Sequence, residues 1–220
     1  MPKQAILENI RRSLRRQQAL DDSVVDGLQL RLNRRQPLVQ HVYDEDPVER
    51  LLRKHDELKG SVSRIEQSGA IVEAVLDYLS RNDLPAEILT SNLDLLNQLD
   101  WGEARLDFRS AEANDGAILS VARCAVAETG TLVLVSSAAT PMSHNYLPDH
   151  HIVLVRESTV VRYQEDVWAL LRQDDNFPPR AIAMVSGPSK TGDVEQTIEY
   201  GAHGPRSVHM ILWQDRDSPE

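Results

Sequence analysis

Short apolar runs alternate with amphipathic helical segments from residue 61 to residue 213, and this alternation constrains the fold more than any other feature of the chain. Strands that alternate with helices usually pair in a parallel or mixed sheet that helices cover. Two of the runs, "TLVLV" at 131–135 and "AIAMV" at 181–185, are apolar throughout, as is typical of strands buried on both faces. The pattern therefore predicts an α/β fold.

Apolar periodicity gives approximate bounds for these elements. Helices are predicted over 3–19, 47–58, 68–82, 91–99, 165–173 and 193–200, and strands over 61–66, 86–90, 104–108, 117–122, 131–137, 151–156, 158–162, 180–186 and 208–213. Asp46 and Pro47 have the residue types of a helix cap and a first helical position. Ser68 and Ser91 are predicted to cap the two helices that follow.

The composition is that of an ordinary globular chain, with 41% hydrophobic and 26% charged residues in 220. No run approaches the ~20 apolar residues of a membrane helix, and the first residues lack the features of a signal peptide. The single cysteine, Cys124, excludes an internal disulfide and a self-contained iron–sulfur cluster, which takes about four thiolates. We therefore expect a cytoplasmic protein without a membrane span, in which Cys124 is a buried thiol rather than a nucleophile.

Charge is unevenly distributed along the chain. Residues 1–35 hold eight Lys and Arg against four Asp and Glu, whereas the whole chain carries a net charge of −10. The acidic remainder disfavours nucleic acid, because contacts with phosphates dominate that affinity. The basic segment is either a solvated helix face or a docking surface for an acidic partner. We predict an N-terminal helical extension and linker over residues 1–46, followed by an α/β domain over 47–220.

The strand predicted at 180–186 leads into the stretch "SGPSKTGDVEQTIEYGAHGP". Ligands of open α/β sheets bind outside the carboxyl ends of strands, and free amides at the start of a helix favour an anion. With a helix predicted over Asp193–Tyr200, the loop Ser186–Thr191 becomes a candidate anion site, to which Lys190 adds a cation. The glycine spacing fits neither a P-loop nor a dinucleotide-binding motif. Plain helix capping by Thr191 or Asp193 fits the same residues, and both interpretations stay open.

Other polar residues with possible chemistry stand at turns. Glu128 precedes a Thr-Gly turn into a buried strand, where a carboxylate could be a nucleophile, a base or a ligand contact, or could bond the turn amides. His203 lies between two glycines and could bond a ligand or hold its own loop. His144, His150 and His151 are close in sequence, but neighbouring side chains of a strand point to opposite faces. Their spacing matches no recognised zinc motif, so we expect no metal.

Three segments together resemble one family. The motifs "AETGTLVL", "LPDHHIVLV" and "SGPSKTGDVEQTIEYGAHGP" are similar to the signature of the LUD domain, of the lactate-utilisation protein C (LutC/YkgG) type, over about residues 60–213. Lys190 stands where the family commonly has Arg, which keeps the charge, and Gly192 stands where it has Ala. Glu128 is the candidate catalytic residue. The candidate ligand-binding residues are Thr129, Gly130, Ser186, Gly187, Pro188, Ser189, Lys190, Thr191, Asp193, Glu195, His203 and Gly204.

The resemblance implies a fold of the NagB/RpiA/CoA-transferase-like kind, a three-layer α/β sandwich with a mostly parallel sheet. It also implies a role in L-lactate degradation, because genes of this family usually accompany two iron–sulfur proteins that support oxidation of L-lactate to pyruvate. We expect a subunit without a cluster or another cofactor, whose partners are the iron–sulfur proteins of a lactate-utilisation operon and a small anionic ligand. Two alternatives stay open: a stand-alone enzyme acting on a small phosphorylated or CoA-linked acid through Glu128, and a sensor that binds a carboxylate at the loop Ser186–Thr191.

Overall fold

A computed structural model of the chain describes residues 3–14, 21–33, 41–91, 93–113, 115–194 and 197–215. The chain divides into two compact units, Met1–Val42 and Tyr43–Glu220. The first unit contains helix α1 (Lys3–Ser13) and helix α2 (Asp22–Asn33). Helix α1 ends earlier than the predicted 3–19, and the end of that prediction lies outside the described residues. No helix in the described part of the chain combines the length and apolar character needed to cross a membrane.

The second unit alternates strands and helices, as the sequence predicts. Its helices are α3 (Pro47–Glu57), α4 (Ile71–Arg81), α5 (Asp94–Asn97) and α6 (Gln164–Leu171). Its strands are β1 (Ser61–Ile65), β2 (Glu87–Thr90), β3 (Arg105–Asp107), β4 (Ala117–Val121), β5 (Cys124–Val126), β6 (Thr131–Val135), β7 (His150–Arg156), β8 (Val160–Val161), β9 (Ile182–Val185), β10 (Lys190–Val194), β11 (Thr197–Tyr200) and β12 (Ser207–Trp213). Short 3-10 helices lie at Ser68–Ala70, Met142–Asn145 and Glu157–Thr159.

The helix caps agree with the sequence in one position of three. Asp46 caps α3, where its carboxylate accepts two backbone N–H bonds of 2.9 and 3.2 Å. The predictions for Ser68 and Ser91 are wrong. Ala70 and Leu93 stand at the cap positions of α4 and α5, and neither helix has a side-chain cap. Ser68 lies within a 3-10 turn, and the Ser91 side chain is buried.

A six-stranded parallel sheet, in the order β1-β12-β7-β4-β2-β3, forms the centre of the second unit. Its strands pair in parallel throughout. Helices α4 and α5 cover one face through Ile71, Val75 and Leu96, which pack with Ile152 and Leu154 of β7. The predicted α/β fold with a mostly parallel central sheet and flanking helices is confirmed.

A second sheet, in the order β8-β5-β6-β9, packs on the other face. Strand β6 runs antiparallel to both β5 and β9. Leu132 and Leu134 of β6 pack with Val153 of the parallel sheet, whereas Val133 packs with Val167 of α6. The apolar run "TLVLV" is thus buried on both faces, as predicted. The sequence pattern did not separate the two sheets, because an apolar strand is buried on both faces in either one.

The helix predicted over Asp193–Tyr200 is wrong, because this stretch belongs to an antiparallel hairpin of β10 and β11. Lys190 pairs with Tyr200 and Thr191 with Glu199, and the register shifts between Thr191 and Val194. Branching at the β carbon restricts the side chain in a helix and suits a strand. The stretch has three such residues, Val194, Thr197 and Ile198.

Candidate functional site

The Glu-Thr-Gly turn joins β5 to β6 and rests on α3. The amide of Gly130 donates to the carbonyl of Val126 at 3.0 Å and closes the turn. Gly130 has φ +69°, and a Cβ there would lie 2.9 Å from the carbonyl carbon of Lys54. Only glycine combines this conformation with so close a contact, so the sequence fixes the turn against α3.

Glu128 sits on the side of this turn that faces Tyr43. Its amide donates to the carbonyl of Arg162 at 3.0 Å, and the Tyr43 hydroxyl donates to the same carbonyl at 2.9 Å. Burial raises the pKa of Tyr43, the charges of Arg162 and Arg50 lower it, and the charge of Glu128 adds to the increase. Glu128 is half-buried and forms no ion pair within the described part of the chain. The charge of Glu128 therefore acts on the Tyr43 hydroxyl, while no described ion pair holds the carboxylate.

Three hydroxyl groups connect the turn to the "SGPS" loop. The Thr129 and Thr131 hydroxyl oxygens are 2.7 Å apart, and the Thr131 and Ser186 hydroxyl oxygens are also 2.7 Å apart. Three hydroxyl protons make two hydrogen bonds in this chain, so one proton is left to donate elsewhere. Thr129 and Ser186, at the two ends of this hydroxyl chain, are both exposed. The hydroxyl chain therefore offers a donor to a ligand at the surface.

The loop Ser186–Ser189 also packs on the end of α3. Gly187 has φ +80°, and a Cβ there would lie 2.6 Å from the carbonyl oxygen of Leu58. The amide of Ser189 donates to the carbonyl of Pro205 at 2.9 Å, and a Cβ on Gly204 would lie 3.3 Å from Ser189. The hairpin thus brings the "HGP" turn back beside the loop.

The sequence-predicted residues fall into three groups. The structure brings together Thr129, Gly130, Ser186, Gly187, Ser189 and Gly204. Pro188 is the buried residue of the loop itself, whereas Lys190 and His203 are exposed beside the loop. Thr191 and Asp193 lie on β10, and Glu195 lies outside the described residues.

The hairpin removes the helix start on which the predicted anion site depended. No helix starts after Thr191, so the free first-turn amides that we expected at this loop do not exist. The amide of Ser189 is already bonded to Pro205. The loop does follow the carboxyl end of β9, but it lies beside the start of β12, whose Ser207 amide donates to the Asp149 carbonyl at 3.1 Å. Any anion here would therefore be held by hydroxyl groups and cationic side chains.

Buried histidines lie behind this turn and loop, and the sequence analysis did not assign them to the site. His55 is fully buried near Gly130, and neither of its ring nitrogens makes a hydrogen bond of good geometry. The His209 Nδ1 atom is 2.8 Å from the Ser61 hydroxyl, and the ring stacks on Tyr78 at 4.3 Å. Burial lowers the pKa of His209 to about 4. One signal in the sequence indicated the burial of His55, which is its helical spacing from the apolar residues Val48 and Leu51 of α3.

His150 and His151 point to opposite faces of β7, as predicted. The His150 Nδ1 atom is 2.9 Å from the Tyr78 hydroxyl, whereas the His151 Nε2 atom is 3.0 Å from the Ser120 hydroxyl. The Cys124 thiol is buried, and burial raises its pKa to about 11, which disfavours the reactive thiolate. Within the described residues, no three His, Cys, Asp or Glu side chains are placed to hold a metal ion together.

Comparison with known proteins adds the family to this geometry. The family model described as LUD domain matches residues 46–213. The chain belongs to the LUD domain family. A lactate utilization protein C from Bacillus licheniformis is 35% identical over 111 residues, which are 49% of this chain and 45% of that protein. Another from Halalkalibacterium halodurans is 30% identical over 176 residues, which are 74% of this chain and 75% of that protein.

One solved structure has a fold similar to this one. The crystal structure of a DUF162 family protein from Deinococcus radiodurans matches with a TM-score of 0.58 and 17% identity, over 79% of this chain and 99% of that one. This likeness supports the fold. The chain spans about half the length of two curated relatives: 46% of the uncharacterized protein NMB1437 from Neisseria meningitidis and 45% of the Bacillus licheniformis protein.

Proposed function

We propose that this LUD domain protein takes part in the utilisation of L-lactate, as a cluster-free subunit of a cytoplasmic iron–sulfur system that oxidises L-lactate to pyruvate. The observation that carries the proposal is the similarity to a lactate utilization protein C over three-quarters of both chains. A single, buried cysteine agrees with it, because electrons from lactate would then pass to clusters held by partner proteins.

The hydroxyl chain and the cations beside it support binding of a small anion at the turn and loop. Thr129 and Ser186 end the hydroxyl chain at the surface, and Lys190 and His203 are exposed beside it. Hydrogen bonds that involve a charged group are stronger than neutral ones. A carboxylate or a single phosphate fits this set of donors.

Growth on defined carbon sources tests the proposal. A strain that lacks the gene is expected to grow on pyruvate but not on L-lactate, and the wild-type gene should restore growth. Purification of the tagged protein from lactate-grown cells should also recover cysteine-rich iron–sulfur proteins. Normal growth of the deletion strain on L-lactate as the sole carbon source contradicts the proposal.

Glu128→Gln tests the candidate catalytic residue. We expect nearly unchanged thermal stability, because Glu128 is half-buried and makes no ion pair in the described chain, but loss of growth on L-lactate. The matched control is Glu66→Gln, which changes an exposed carboxylate after β1. Growth of the Glu128→Gln strain at the wild-type rate would remove Glu128 from the functional set.

A second candidate function is a stand-alone enzyme or a sensor for a phosphorylated, CoA-linked or carboxylate ligand. The exposed hydroxyl chain favours it, because a binding site on this chain alone needs no partner. Turnover of such an acid by the purified chain would support the enzyme, and saturable binding without turnover or partners would support the sensor.

A further inference from the structure

Most of the buried polar side chains collect at one place, away from the turn and loop described above. Nine polar residues are buried in the described part of the chain, and six of them belong to this second cluster. They are Thr90, Ser91, Ser120, His144, Asn145 and His151. Burying polar groups costs free energy unless they are paired, and here Thr90 bonds the Leu119 carbonyl, Ser91 bonds His144 and Ser120 bonds His151.

The cluster lies where ligands of open α/β sheets bind. Thr90 ends β2, and Ser120 is near the end of β4, the neighbouring strand. Strands β2 and β4 are neighbours in the sheet. The strand that follows β2 in it, β3, lies on one side of this pair, and the strand that follows β4 in it, β7, lies on the other side. The crevice at the carboxyl ends of two such strands is the switch point at which these sheets bind ligands. The first site lies at the opposite end of β6, whose residue Thr131 belongs to the hydroxyl chain.

His144 organises the floor of this crevice. Its Nε2 atom is 2.8 Å from the carbonyl oxygen of Arg109, and its Nδ1 atom is 3.4 Å from the Ser91 hydroxyl. A carbonyl only accepts, so Nε2 carries the proton and Nδ1 is the acceptor for Ser91. Burial lowers the pKa of His144, which favours the neutral ring. Both ring nitrogens are bonded within the fold, so the floor presents uncharged hydroxyl oxygens as acceptors.

A cleft of about 550 Å³ opens above this floor. Its walls are Thr90, Phe108, Arg109, Ser110, Ala138, Ala139, Pro141 and His144. Arg109 is the only charged residue in this lining, and its guanidinium is held 2.6 Å from Asp115 and 2.9 Å from Asp107. A wall with one paired cation does not hold several negative charges, which disfavours phosphate esters and nucleotides. The hydrogen bonds to Asp107, Ser110 and Asp115 use four of the five N–H groups of Arg109, so one donor is left for a ligand with a single negative charge.

We propose that this cleft binds a small monocarboxylate that carries a hydroxyl group beside its carboxylate. Arg109 and the Ser110 hydroxyl would face the carboxylate. The Thr90 hydroxyl donates to the Leu119 carbonyl, so its oxygen would accept from the hydroxyl group of the ligand. The assignment deepens the proposed function and rests on it only for the choice of L-lactate and pyruvate as probes. It adds a ligand position at the carboxyl edge of the parallel sheet to the one proposed at the family motifs.

Two-dimensional ¹H–¹⁵N spectra of the full chain test the assignment, with L-lactate, pyruvate, acetate and inorganic phosphate titrated separately. We expect L-lactate to cause saturable shifts at the amides of Ser110, Ala139 and His144. Pyruvate and acetate, which lack the hydroxyl donor, should bind at least about fivefold more weakly, the effect of about one hydrogen bond. Phosphate should leave these amides unchanged.

Matched serine variants separate the cleft from the first site. Ser110→Ala, at an exposed cleft position, should weaken binding about fivefold or more. Ser186→Ala, in the exposed hydroxyl chain, should leave binding at the cleft unchanged. Shifts centred on Thr129 and Ser186, or no saturation up to about 10 mM, overturn the cleft assignment. Neither result bears on growth, so the proposed function fails only if the deletion strain grows on L-lactate.

Discussion

Four of the seven histidines, His55, His144, His151 and His209, have less than 5% of their surface exposed. Burial lowers the pKa of His151 to about 3 and that of His209 to about 4, from 6.5. As the pH falls below 6.5, these histidines bind protons in the unfolded chain but stay unprotonated in the folded chain. Each of these two histidines should then lower the free energy of unfolding by up to about 1.4 kcal/mol per pH unit. The loss should continue down to about pH 4.

Urea denaturation between pH 8 and pH 4 measures this effect. Stability should be nearly constant above pH 7 and should fall below pH 6. His151→Gln removes one buried group and should reduce the slope, whereas His203→Gln changes an exposed residue and should leave the slope as it is. Equal slopes for the wild type and His151→Gln would contradict the assignment to this histidine.

Gly130→Ala tests whether α3 fixes the Glu-Thr-Gly turn. The new Cβ would lie 2.9 Å from the backbone of Lys54, at a residue with φ +69°. We expect a loss of about 2 kcal/mol or more in the free energy of unfolding. Gly192→Ala is the matched control, because a Cβ there meets nothing within 4 Å. Similar urea midpoints for the two variants would show that the turn can move away from α3.

Residues of the first site could be grouped from the sequence because they occur in short motifs. The contact between Thr131 and Ser186 joins two such motifs. The pair of Ser91 and His144 had no such signal, because 53 positions separate the two residues and only the tertiary fold brings them together. The residue type of Ser91 suggested a helix cap instead, a role that its buried side chain does not have.

At the scale of elements, the apolar runs predicted most strands, whereas the polar strands β10 and β11 were not predicted. The stretch 193–200 has acidic residues early and a Gly-Pro stop late, which suggested a helix. Its β-branched residues favour the hairpin instead. The division of the strands into two sheets depends on which strands pair, and no local pattern records that choice.

A designed disulfide distinguishes the hairpin from a helix. Thr191 and Glu199 are directly paired across β10 and β11, so cysteines at both positions fall within the ~4.4–6.8 Å Cα separation that a disulfide needs. Eight positions along a helix would separate them by about 12 Å. We expect the Thr191→Cys, Glu199→Cys double variant to form an intramolecular disulfide under mild oxidation, detected by mass spectrometry and thiol titration. The single variants are the controls, and three free thiols in the denatured double variant, Cys124 included, would contradict the hairpin.

At the scale of the whole molecule, the buried apolar side chains of the described chain all belong to the second unit, beginning with Tyr43. Tyr43 is only 9% exposed, and the Arg50 guanidinium carbon lies 4.0 Å from the centre of its ring. Glu45 pairs with Arg53 at 2.7 Å. The sequence predicts the domain from residue 47, because residues 43–46 have no periodic pattern. Their contacts with α3 and Arg162 arise only in the folded chain.

Two shortened chains, 43–220 and 47–220, test where the stable domain begins. The chain 43–220 keeps Tyr43 and should show the urea midpoint of the full protein. The chain 47–220 loses the Tyr43 contacts with Arg162 and Tyr163, and its free energy of unfolding should fall by about 2–4 kcal/mol. Loss of Glu45 adds little, because its ion pairs are partly exposed. Tyr43→Ala in the chain 43–220 should reproduce most of the difference. Equal midpoints for the two shortened chains would mean that the domain needs nothing before Pro47, whereas unfolding of 43–220 would mean that the first unit is part of the fold.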